Sequence, residues 1–164
     1  MPPVEKTPLP LGARLWSQVG PDDFLDGYAV ASSLSPRAAA DLAFSLPGWA
    51  QALMQLRNRL VRPLGLKTDR DSSGDSAQEA TLFPVCFEDD HELILGTDDR
   101  HLNFRISIRR QAGRIHMATW VHRNNLLGRI YLALVMPFHI LIVRDCMRRI
   151  ARHSTAIASQ PPAQ

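Results

Sequence analysis

The chain has 164 residues, a length that fits one domain around a single core. Hydrophobic residues make up 45% and charged residues 21%, which excludes a disordered or fibrous chain and suits a soluble globular one. The net charge of +3 is too small to mark a nucleic-acid protein. Its basic residues are almost all arginine, with lysine only at Lys6 and Lys67; arginine pairs well with carboxylate or phosphate, but coding bias gives the same skew.

Prolines at positions 2, 3, 8, 10 and 21 mark 1–23 as an irregular segment expected to lie over the surface. No basic n-region followed by an apolar h-region opens the chain, so no signal peptide is expected. There are two cysteines and no CxxC; Cys86 and Cys146 are read as buried free thiols. The expected compartment is a reducing cytoplasm. Phe24 to Ala31 (FLDGYAVA) reads as a first strand, with Gly27 as a candidate bulge. Ser35-Pro36 is a helix start, with serine as cap and proline at the first helical position, and this helix is expected to reach about Phe44. A second helix is expected after Pro47, where Trp49, Leu53, Leu56 and Leu60 fall at helical spacing; Pro63 and Gly65 stop it. Residues 67–80 carry no aliphatic side chain larger than alanine and read as a flexible loop.

From Leu82 the hydrophobic period becomes two. Leu82–Phe87, His91–Gly96, Leu102–Arg110 and Arg114–His122 are strand candidates, and the short turns between them predict an antiparallel meander. Pairing Gln111 with Arg114 sets Phe104, Ile106 and Ile108 opposite Val121, Thr119 and Met117. The one-residue slip would move an apolar set to the wrong face. This register leaves Asn103, Arg105, Ser107, Trp120 and His122 on the other face, with Arg105 across from Trp120 for a cation–π contact.

Leu126 to Arg152 reads as one long helix, with Asn124 or Asn125 as its cap. From Ile130 to Val143 nearly every residue is apolar, which in a helix normally means burial. Arg129 and Arg144 bracket that run too closely for a membrane span of roughly 20 residues, so a core helix is expected and no membrane span. Pro137 should kink the helix without ending it. Arg144, Arg148, Arg149, Arg152 and His153 are read as complementing the helix's negative end and keeping it soluble, with an anion or nucleic-acid patch as the alternative. Residues 154–164 are expected to be a disordered tail.

Asp98-Asp99-Arg100-His101 is the densest polar stretch, and its simplest reading is a hairpin turn whose aspartates bond their own backbone while Arg100 and His101 stay solvated. His101, His122 and Asn124 have positions that allow a cluster, yet no HExxH, HxH or Cys/His spacing supports a metal site, and none is expected. His139 is read as a satisfied core histidine. No GxGxxG, P-loop or GxSxG occurs, so no cofactor is expected, and no aromatic–basic interleaving points to nucleic acid.

The blocks RNRLVRPLGLKT (57–68), LGTDDRHLNFRISI (95–108) and NNLLGRIYLALVMPFHILIVR (124–144) are similar to a bacterial family, domain of unknown function 2867, over roughly Phe24 to Arg152. That family is believed similar to the START-like helix-grip superfamily (SRPBCC). The resemblance implies an α+β domain over 24–153: a curved antiparallel sheet wrapped around a long, Pro-kinked C-terminal helix, with two shorter helices after the first strand. An apolar cavity often lies between sheet and helix in that superfamily. The five strands read above fall short of its number, so one strand is either missing or hidden near Leu11–Gly20. No reaction and no catalytic residue carries over. The function implied is binding of a small apolar or amphipathic molecule in the cavity. Phe104, Ile106, Met117, Val121 and Phe138 would line it, with polar anchors from Asn103, Arg105 and His122 if the sheet bends. An enzyme using the same cavity, a protein-interaction domain without an open cavity, and a homodimer remain open.

Overall fold

The computed structural model describes residues 3–45, 48, 55 and 83–158. In chain order these form β1 (Glu5–Lys6), a 3-10 turn (Arg14–Gln18), β2 (Phe24–Ala31), α1 (Pro36–Phe44), β3 (Val85–Glu88), β4 (Glu92–Asp98), β5 (Leu102–Gln111), β6 (Arg114–Arg123) and α2 (Leu126–Ala158). The strands make one antiparallel sheet in the order β1-β2-β6-β5-β4-β3. With the long helix packed on one face, this is an α+β helix-grip architecture. Of the expected second helix, Gly48 and Gln55 are helical. Its other residues, the 67–80 loop, Leu82 and 159–164 lie outside the described residues.

Local chemistry sets several of these elements. The β5–β6 hairpin turns on Ala112 and Gly113, both at positive φ (50° and 71°), the backbone that a two-residue hairpin needs. A turn that tight fixes the register, and Phe104, Ile106 and Ile108 pair with Val121, Thr119 and Met117 as expected. In α1 the Ser35 hydroxyl accepts from the Ala38 N–H at 3.2 Å, with Pro36 following it.

Two expectations about β2 change. Gly27 is no bulge, for the β2–β6 register is unbroken from Phe24↔Val121 to Ala31↔Arg114. Glycine is needed because a Cβ there would run into the Thr7 carbonyl of the crossing N-terminal segment. The bulge lies instead between Val85 and Phe87. The sixth strand is not in Leu11–Gly20 but at Glu5–Lys6, paired with Tyr28 and Ala29.

Alternation gives the sheet two apolar faces. One carries Val30, Leu93, Leu95, Ile108, Ile115 and Met117, packed by Ala39, Ala40 and Ala43 of α1 and by Cys146, Met147 and Ile150 of α2. The alanines let the two helices approach closely, and the Cys146 thiol donates to the Ala43 carbonyl at 3.1 Å. Burial pushes that thiol's pKa up to about 12, whereas Cys86, expected buried, is exposed on the short strand β3. On the opposite face the N-terminal segment lays Leu9, Ala13 and Leu15 against Ile94, Ala118 and Trp120. Glu92 pins it there. This carboxylate is 1% exposed and accepts from the Arg14 N–H (2.7 Å) and the Ser107 hydroxyl (2.6 Å), with Arg109 at 3.3 Å.

The long helix starts at Asn125, whose side-chain oxygen accepts from the Gly128 N–H at 3.0 Å, and it runs through Pro137 without ending. It differs from expectation in three ways. It continues to Ala158, so 154–158 are helical rather than tail. The arginines at 144–152 therefore lie more than a turn before its end, outside the reach of the helix dipole. Its outer face is also not buried: Leu126 is 72% exposed, and Leu134 and Leu141 are 55% exposed. By length and composition alone the helix is able to cross a membrane.

Candidate functional site

Where α2 passes over β2, β6 and β5 the packing is incomplete and leaves a cavity of about 180 Å³. From the sheet it is lined by Phe24, Phe104, Ile106, Met117, Thr119 and Val121, and from the helix mainly by Tyr131, Val135, Phe138, His139 and Ile142. The two flanks differ. One is aromatic, with the Phe83 and Phe104 rings 5.1 Å apart edge to face and Phe44 a further 6.0 Å away from Phe83. The other is polar, formed by Thr119 and by His139, whose ring meets Phe24 edge-on at 6.0 Å.

Behind that polar flank stands a buried carboxylate. Asp26 is 7% exposed and pairs across the sheet with Thr119. Its oxygens lie 3.6 Å from His139 Nε2 and 3.4 Å from Lys6 Nζ. A separation of 3.6 Å is too long for a hydrogen bond, and His139 Nε2 has no hydrogen-bond partner among the described residues. The pair is not closed by a hydrogen bond. Burial pushes the His139 pKa down, against the upward pull of Asp26, which favours the neutral imidazole. Burial and the Asp26 charge likewise raise the Tyr28 phenol, opposed by Arg144. Among the described residues the wall thus offers the Thr119 hydroxyl and a neutral imidazole, and no lysine or arginine lines it.

The structure brings Phe104, Ile106, Met117, Val121 and Phe138 together around this cavity. It does not bring Asn103, Arg105 or His122 there, because strand side chains alternate and these three belong to the opposite face. Arg105 pairs with Asp98 at 2.8 Å, donates to the Phe104 carbonyl, and lies 6.0 Å from the Trp120 ring. His122 Nδ1 is 2.6 Å from Asp23, which also accepts from Trp120 Nε1 at 2.8 Å. Asn103 meets the Asn124 side chain at 3.1 Å. His101, expected solvated, is buried and meets the Asn125 amide at 3.0 Å, so His101, His122 and Asn124 do not converge. Among the described residues no three His, Cys, Asp or Glu side chains are grouped to hold a metal ion.

Among the site residues that sequence reasoning missed, Thr119 and His139 supply the polar flank, with Asp26 behind it. A signal for Asp26 existed: it shares strand parity with Phe24, Tyr28 and Val30, which places a carboxylate on a buried face. His139 was read as satisfied, yet its partner sits beyond hydrogen-bond distance.

No curated protein and no solved structure matches this chain. A protein-family model described as "Protein of unknown function (DUF2867)" matches residues 19–146, a span that holds strands β2 to β6 and the cavity wall of α2, and the chain belongs to that family.

Proposed function

We propose that this protein binds a small, uncharged amphipathic molecule between its sheet and α2. One observation carries the reading: a cavity of about 180 Å³ with an apolar wall and polar groups gathered largely on one flank. An apolar protein cavity of about 150 Å³ holds benzene, so a single ring suits this one. With Asp26 behind His139 and no cation among the described wall residues, a hydroxyl or carbonyl is favoured over a carboxylate, whose burial unpaired is costly. The sheet-and-helix architecture supports membership of the START-like superfamily (SRPBCC); bacterial origin and a cytoplasmic location complete the reading.

Benzyl alcohol, toluene and benzoate test it, by calorimetric titration and by the rise in thermal midpoint that binding to the folded state produces. Benzyl alcohol should bind most tightly and benzoate least. Val135→Phe, which fills the cavity, should abolish binding. His139→Leu should erase the preference for benzyl alcohol over toluene, at a cost of about 1 kcal/mol for a neutral hydrogen bond. Failure of both neutral probes to bind, or binding that survives Val135→Phe, would refute the proposal.

The Asp26–His139 pair favours a second reading, an enzyme in the same cavity, since a neutral imidazole beside a carboxylate is the usual make-up of a general base. A chemically altered ligand recovered after incubation would support that reading.

A further inference from the structure

The outer face of α2 has no part in the cavity. From Leu126, steps of four, four, three and four residues lead through Ile130, Leu134, Pro137 and Leu141, which keeps all five on one side of the helix. All are exposed, Leu126 at 72% and Ile130 at 47%. The same line continues through Arg144, Arg148 and Arg152, also exposed. None of these three makes an ion pair among the described residues. The face carries no carboxylate, since Asp145 turns aside to pair with Arg149 at 2.7 Å.

We propose that this face docks on an anionic lipid bilayer, with the apolar stripe set into the headgroup boundary and the arginine row against lipid phosphates. An apolar stripe alone would suit many partners. Continued by unpaired cations, it matches a surface that is apolar beneath and negative on top. A second copy is a poorer fit. A two-fold antiparallel pairing along the full row sets Arg152 near Leu126 and Arg148 near Ile130, with no carboxylate to meet either charge. The helix lies on the membrane rather than through it, because its inner face is packed on an open sheet whose edge strands a hydrocarbon core does not tolerate. The proposal does not depend on a ligand in the cavity. If both hold, α2 separates that cavity from the bilayer by a single helix.

Flotation with vesicles of phosphatidylcholine, and of phosphatidylcholine with phosphatidylserine, tests the proposal. The protein should float with the phosphatidylserine vesicles, far less with phosphatidylcholine alone, and less at high salt. Leu134→Glu with Leu141→Glu should abolish flotation. Arg144→Ala with Arg148→Ala and Arg152→Ala should weaken binding to the anionic vesicles on the order of a hundredfold. All five positions are exposed, and an unchanged thermal midpoint would confirm that each variant folds. Wild-type protein that stays behind with both vesicles, or an arginine triple variant that binds like wild type, would overturn the proposal. A dimer in sedimentation equilibrium that Leu134→Glu dissolves, without vesicle binding, would assign the face to a second copy instead.

Discussion

Two aspartate–histidine pairs flank the β2–β6 ladder, one on each face of the sheet, and they are built differently. Outside, Asp23 and His122 are 2.6 Å apart, and Asp23 also accepts from Trp120 and the Gly20 N–H. Burial works to raise the Asp23 carboxyl; those hydrogen bonds outweigh it and hold the pKa below the usual value. Inside, Asp26 and His139 stand 3.6 Å apart, and His139 Nε2 has no hydrogen-bond partner among the described residues. The satisfied pair anchors the residues leading into β2. The under-satisfied pair borders the cavity, where polar capacity is left for a ligand. Close geometry marks architecture here, and incomplete geometry marks the candidate site.

If the outer face is architecture, its most buried carboxylate should matter most to stability and not at all to binding. Glu92→Ala leaves the Arg14 N–H, the Ser107 hydroxyl and Arg109 without their acceptor. Chemical denaturation should show a loss of about 3–5 kcal/mol. At temperatures where the variant is still folded, its affinity for benzyl alcohol should be unchanged; a selective loss of affinity would blur the division between the faces.

A smaller effect separates the two pairs by pH. The folded-state pKa of His139 lies below its ordinary 6.5, with burial as the main cause. Near and below 6.5 the unfolded chain takes up a proton that folded His139 resists, so this contribution is present above 6.5 and is lost as pH falls below it. His116 adds the same sign, through burial and then Arg114 and Arg109. Asp23 acts lower, its contribution being present above 3.8 and lost as pH falls below that. Thermal midpoints should therefore fall in two windows, and His139→Leu should flatten only the upper one. An unaltered upper slope in that variant would show that His139 is not held neutral.

Arg105→Met should have the smallest consequence. The Arg105–Asp98 pair has a 60% exposed carboxylate, so solvent screening limits it to under about 1 kcal/mol. The variant should be slightly less stable and bind benzyl alcohol as wild type does. Weakened binding would return Arg105 to the site.

Much of this fold follows from short-range rules that the sequence displays. Alternation located the strands of the meander, Ser35-Pro36 started α1, Ala112-Gly113 set the last hairpin's register, and Asn125 capped the long helix. Each is decided within a few residues, by φ preference, side-chain parity or a cap. Half the site was legible the same way, since Phe104, Ile106, Met117 and Val121 share one parity, and Phe138 lies in the apolar run of the helix. Tertiary structure decided the rest. Glu5–Lys6 becomes a strand only by pairing with Tyr28 and Ala29, and Gly27 is needed only because Thr7 crosses it. A uniformly apolar helix does not state which of its faces will be covered; the sheet and α1 cover one side of α2 and leave Leu126, Leu134 and Leu141 outside. The polar end of the cavity joins Asp26 of the first long strand to His139 of the last helix, and periodicity carries no information about which distant residues packing will bring face to face.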